Sequence, residues 1–192
     1  LVKHLVEQGC TVHATVRDIK NKKKLEHLQR IHERGPGDIH FFEADLLAPG
    51  TFEEAMHGCS IVFHTASPFI FQVDDVENDL LLPAEEGTAA VLNQACQSPS
   101  VKRVVLTSSI GAMCGDLCDY KYKKGIITES DWNTTSNAAH QPYFFSKTIA
   151  EKKAWGIAQS QSQWDMISVN PSLVLGPGIS PYGTSESFRF MK

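Results

Sequence analysis

Short runs of β-branched and aromatic residues alternate with helix-like stretches along this chain, and that alternation narrows the possible folds more than any other feature. Leu1, Val2, Leu5 and Val6 mark one helical face, and Gly9 closes it at the position after a helix C-cap. Thr11 to Val16 then alternates as a strand. Residues 20–34 are charged, with Leu25, Leu28 and Ile31 three apart, which predicts an amphipathic helix. Further strands are expected at 39–42, 61–65, 103–107 and 166–169. Helices are expected at 51–56, 75–97 and 142–161, with Thr51 and Glu54 as a capping box on the first. A polar loop fills 115–140, and the chain turns Gly- and Pro-rich after Pro171. This order predicts βαβ units and a parallel, doubly wound sheet with helices on both faces. The near-continuous apolar strands fit burial on both sides.

Composition removes other classes. A chain of 192 residues, 42% hydrophobic and 21% charged, can build one real core. A formal net charge of −4 argues against a general nucleic-acid binder. No apolar run nears the roughly 18 residues of a membrane span, and LVKHLVEQG does not read as a signal peptide. Five scattered cysteines (Cys10, Cys59, Cys96, Cys114 and Cys118) fit reduced thiols, so a cytoplasmic setting is expected. They and the eight dispersed histidines have no metal-ligand spacing, so no metal site is expected. The expected organisation is one domain over 1–170, with a second lobe starting at 171–192.

In parallel open sheets, ligands bind beyond the carboxyl ends of the strands, so the residues found there carry the functional reading. The first strand is followed by Arg17 and Asp18, then a lysine-rich segment including Lys24. A guanidinium at that position suits a ribose 2′-phosphate, and a carboxylate suits a free ribose diol. Asp45 and Leu46 follow the second strand, a pair that can meet an adenine amine and ring. The small residues Thr65, Ala66 and Ser67 follow the third and permit close approach of a cofactor.

The sharpest combination is Thr107-Ser108-Ser109 at a strand end with Tyr143-Phe144-Phe145-Ser146-Lys147. Tyr143 and Lys147 are four apart and share a helix face. A phenol with a pKa near 10 is a poor acid–base catalyst at neutral pH. An adjacent ammonium is expected to lower that pKa, while Ser109 donates to a substrate carbonyl. A Tyr-x-x-x-Lys alone is a weak signal. A Ser-Ser strand end 34 residues upstream makes it much stronger.

Together with FHTASP at 63–68, VVLTSS at 104–109 and NPSLVLGP at 170–177, these segments resemble the extended short-chain dehydrogenase/reductase superfamily. More closely they resemble its dihydroflavonol reductase, cinnamoyl-CoA reductase and aldehyde reductase branch. The resemblance implies a Rossmann-type fold, NADP(H) as cofactor and reduction of an aldehyde or ketone. It implies Ser109, Tyr143 and Lys147 as catalytic residues, the last two also touching the cofactor. By matched position, Arg17 and Lys24 take the 2′-phosphate and Asp45-Leu46 the adenine. Thr65-Ala66-Ser67 line the pyrophosphate and nicotinamide ribose. Pro171, Ser172, Leu173 and Val174 pass the nicotinamide amide. The partner implied is a small carbonyl compound, with no nucleic acid or membrane, and helices 75–97 and 142–161 are the pair through which a homodimer would form.

The sequence departs from the family in three places. It starts inside the helix that follows the family's first strand and glycine-rich turn, so the sheet is expected to be N-terminally truncated. Two strands should then lack a ladder partner and flank an apolar slot. The plant flavonoid reductases' Asn is replaced by Met113-Cys114-Gly115, and the Trp-Tyr-Cys-Tyr-Gly-Lys signature by Pro142 to Lys147. The substrate lobe is expected to be cut short. Two other readings stay open: a nucleotide-sugar epimerase or dehydratase holding NAD, and a non-catalytic NADP sensor or scaffold.

Overall fold

Strands β1 (Thr11–Val16) and β2 (Asp38–Glu43) pair in parallel, with Thr11 opposite Asp38 and Val16 opposite Glu43. Strands β3 (Ile61–His64), β4 (Arg103–Thr107) and β5 (Asp165–Val169) form a second parallel sheet in that order. Helices α1 (Val2–Glu7), α2 (Lys22–His32), α3 (Glu53–Met56), α4 (Leu82–Gln97) and α5 (Pro142–Gln159) connect them. The computed structural model describes residues 1–32, 35–67, 73–116 and 126–176.

The expected discontinuity is present. No ladder joins β1 to β3, and a slot of about 590 Å³ separates them. Its walls include Val12, Ala14, Phe52, Ala55, Val62 and Val91. The two halves meet through α3, which packs on both β1 and α4 and whose Ala55 and Met56 are buried, as is Phe52 just before it. Phe52 and Met56 join one apolar cluster with Val91, Leu92 and Ala95 of α4, Val104 and Leu106 of β4, Ala154 of α5, and Trp164.

Strand order explains which faces are covered. From β3 to β4 to β5 the chain steps always in one direction, so two right-handed crossovers place α4 and α5 on one side. These helices pack on each other over Val104 and Leu106. In the other sheet, α2 makes the crossover from β1 to the parallel β2. The sequence expectation that every strand is buried on both faces is therefore corrected. On the far side of the second sheet, Ile61, Ile167 and Val169 remain 44–47% exposed.

Two local expectations also change. Thr51 does not cap α3. Its hydroxyl donates to the carbonyls of Asp45 and Ala48 and accepts from the Asp45 amide, closing the turn before the helix. The long helix predicted from residue 75 opens with a π-helical segment, Glu77–Leu81, before α4 begins. Gly9, with φ +79°, ends α1 as expected of a residue needing left-handed backbone. Residues 177–192, where the second lobe is expected, lie outside the described residues.

Candidate functional site

The site begins at the carboxyl end of β4. Ser109 leaves the strand in extended conformation and caps a 3-10 turn at Ile110–Ala112, its Oγ accepting from the Gly111 amide at 3.1 Å. That bond fixes the hydroxyl oxygen and leaves its hydrogen to donate elsewhere. The β5 chain stitches this turn in place. The Ser108 amide donates to Val169 O at 2.9 Å, and the Ile110 amide to Pro171 O at 2.9 Å.

Helix α5 supplies the other two groups. Its start is set by Gln141 in left-handed conformation (φ 54°) and by Pro142 in the first turn, where a missing N–H costs nothing. Gln141 is held by Asp116 and Ser136, and the buried Asn133 amide donates to Gly111 O at 2.7 Å. The loop before the helix is thus tied to the serine's own turn. From this start, Tyr143 is hydrogen-bonded to Ser109. Lys147, one turn on, places Nζ 5.8 Å from the centre of the Tyr143 ring. The structure therefore brings Ser109, Tyr143 and Lys147 together.

Their electrostatics differ from the sequence expectation. Lys147 was expected to lower the Tyr143 pKa. Burial instead pushes the phenol up to about 12, and only the Ser109 hydrogen bond opposes the rise. A half-desolvated phenolate loses more hydration than one hydrogen bond returns. Lys147 itself is pulled down to about 8 by burial, while the neighbouring Glu151 carboxylate holds it up. His64, buried at the end of β3, is pushed down to about 4 by burial and then by the Lys147 charge. It lies within hydrogen-bond distance of Thr88 Oγ1, 3.3 Å from Nε2.

The remaining candidates occupy the same edge. Arg17 is exposed just past β1. Beside it, Asp18 Oδ1 accepts from the Lys20 amide at 2.8 Å, an Asx-type turn. Asp45 Oδ1 similarly accepts from Leu47 N, and Leu46 packs against Gly87 of α4. Thr65 and Ala66 are exposed at the end of β3, and Ser67 is half-buried. Pro171 is half-buried against the serine turn, whereas Ser172, Leu173 and Val174 are exposed. Lys24 falls in α2, and its side chain lies outside the described residues. No His/Cys/Asp/Glu cluster suited to a metal occurs among the described residues. Cys10, Cys59, Cys96 and Cys114 are thiols outside any disulfide, and Cys118 lies outside the described residues.

Sequence reading missed Glu151, Asn170, Asn133 and Gly111. The first was legible in principle, because it continues the four-residue spacing of Tyr143 and Lys147.

With this geometry established, likeness to known proteins is specific. The model of the NAD dependent epimerase/dehydratase family matches residues 1–191. A cinnamoyl-CoA reductase from Medicago truncatula is 40% identical over 187 residues, covering 94% of this chain and 55% of its own. An anthocyanidin reductase from Arabidopsis thaliana is 36% identical, covering all of this chain and 57% of its own. The structure of Gre2 from Candida albicans in complex with NADPH superposes with a TM-score of 0.73 at 33% identity, covering 92% of this chain and 54% of its own. The chain thus spans about half the length of the relatives it matches. No helix among the described residues is long and apolar enough to cross a membrane. With a parallel Rossmann-like sheet, a Ser-Tyr-Lys cluster at its carboxyl edge and a family match along nearly its whole length, the chain belongs to the NAD dependent epimerase/dehydratase family.

Proposed function

We propose that this chain carries the catalytic edge of an NADPH-dependent reductase of aldehydes or ketones. The observation that carries the reading is the Ser109–Tyr143 hydrogen bond with Lys147 Nζ 5.8 Å from the phenol ring. A carbonyl oxygen seated between the two hydroxyls would accept from both. NADPH, when bound, supplies the hydride. As negative charge develops on the carbonyl oxygen, Tyr143 donates its proton to it and Ser109 keeps its hydrogen bond. The resulting phenolate is steadied by the Lys147 ammonium, and a proton from solvent restores the phenol. With a pKa near 12, Tyr143 is protonated at neutral pH, the state a proton donor needs.

The residues present fit the cofactor. Arg17 offers an exposed planar fork at the end of β1, suited to a 2′-phosphate. Asp18 already has one oxygen committed to its own turn, which favours the phosphate over a free diol. Asp45 would meet the adenine amine, and Thr65 with Ala66 leaves room for the pyrophosphate. Likeness to NADPH-bound Gre2 supports the same choice. Arg17, Lys24, Asp45, Leu46, Thr65, Ala66, Ser67 and 171–174 remain the proposed cofactor contacts, and a small carbonyl compound the proposed substrate.

The test is NADPH oxidation with a panel of aldehydes and ketones by the protein as its gene encodes it. Tyr143→Phe should lower kcat by roughly 10²–10⁴-fold. Equal rates for Tyr143→Phe and the native protein would remove the proposal. A second reading, an epimerase or dehydratase using NAD, rests on Asp18. Tighter binding of NADH than NADPH, unaltered by Arg17→Ala, would favour it.

A further inference from the structure

The mechanism above leaves unused a charged side chain in the middle of the site. Glu151 is 6% exposed, and an ionised carboxylate is costly to bury unless donors surround it. Three do, from three parts of the chain. Ser108 Oγ at the end of β4 donates to Oε2 at 2.5 Å. Asn170 Nδ2, just past β5, donates to the same oxygen at 2.7 Å. Trp155 Nε1, one turn along α5, donates to Oε1 at 3.2 Å. The Asn170 amide nitrogen also donates to Ser109 O at 3.1 Å. One carboxylate therefore joins the ends of two strands to the helix that carries Tyr143 and Lys147.

We propose that Glu151 is a positioning residue: it fixes Ser109 relative to α5 through Ser108 and Asn170, and, four residues beyond Lys147 on the same helix face, it is the counter-charge to that ammonium beside Tyr143. This rests on the catalytic roles assigned to those three residues. Among the described residues, the groups that act on Lys147 are the Tyr143 phenol and Glu151 on its own helix and His64 on β3. Tyr143 and His64 are neutral near pH 7, and Glu151 is the one carboxyl group among the three. An amide can keep its carbonyl on Ser108 and Asn170, at the cost of turning its NH2 on the Trp155 N–H, so Glu151→Gln loses that one hydrogen bond together with the charge, whereas Glu151→Asp keeps two acceptor oxygens.

The experiment is an NMR titration of Lys147, followed at the side-chain methylene next to Nζ, in the native chain, Glu151→Gln and Glu151→Asp. The native midpoint should lie near 8. Glu151→Gln should move it lower, so that more than half of Lys147 is neutral at pH 8. Glu151→Asp keeps the charge on a shorter arm, and its midpoint should fall by less. In the protein as its gene encodes it, the pH profile of kcat should shift in the same direction. An unchanged Lys147 midpoint in a folded Glu151→Gln overturns the proposal. If that variant does not fold, Glu151→Asp decides by the same midpoint. Failure of both to fold makes Glu151 a structural residue and also overturns it. Full activity of Tyr143→Phe would instead remove the proposed reaction while leaving the titration result standing, so the two failures are distinguishable.

Discussion

At the scale of single residues, the site is a set of polar groups that the fold holds away from water. His64 shows the consequence for stability. Its imidazole is 4% exposed and kept neutral, with a pKa near 4 against about 6.5 when exposed. Above about pH 6.5 neither the folded nor the unfolded chain protonates it, and nothing is lost. Between about 6.5 and 4 the unfolded chain binds a proton that the folded chain refuses, so folding weakens as the pH falls. The full effect is about 3 kcal/mol. His64→Gln keeps a polar end for Thr88 and removes the titration. Urea unfolding at pH 7 and at pH 4.5 should show the native chain losing more stability between the two than His64→Gln. Equal losses would mean that the imidazole titrates freely in the folded chain.

At the scale of elements, the 3-10 turn after β4 and the start of α5 act as one unit. A Cβ on Gly111 would lie 2.6 Å from Phe144 Cδ1, 2.9 Å from Cγ and 3.2 Å from Cβ. These atoms are at the root of the ring, so the ring cannot swing clear, and the neighbouring Tyr143 must move with the helix. Gly111→Ala should therefore cost about 1–3 kcal/mol of stability by overpacking, read as a lower urea midpoint. Phe144→Ala should offset much of that cost in the double variant, a coupling absent if the two elements pack independently. This packing also marks how far sequence carries. Strand and helix order was readable because apolar periodicity reports burial directly, and Ser109, Tyr143 and Lys147 were readable because their spacing survives folding. Glu151 meeting Asn170 was not, because strand β5 reaches α5 only through the parallel register. The rise in the Tyr143 pKa was not either, since spacing places an ammonium near a phenol without saying how much water both lose. Nor does periodicity distinguish a strand with two covered faces from one with an open face, which is why Ile167 and Val169 read as buried.

At the scale of the whole molecule, the split sheet sets what the 192-residue chain can bind. The proposed adenosine contacts, Arg17 and Asp45, follow β1 and β2, whereas Ser109, Tyr143 and Lys147 belong to the sheet of β3, β4 and β5. No backbone hydrogen bonds cross from β1 to β3, and the slot between them is lined largely by apolar side chains. A dinucleotide reaching both sets must fix one sheet relative to the other, and that ordering subtracts from its affinity. The isolated chain should accordingly bind NADPH with a Kd weaker than about 10 µM, a binding free energy smaller in magnitude than about 7 kcal/mol. Titration of NADPH fluorescence against the purified 192-residue chain measures it directly. A submicromolar Kd would show that α3 and its apolar cluster alone hold the two sheets in the binding arrangement.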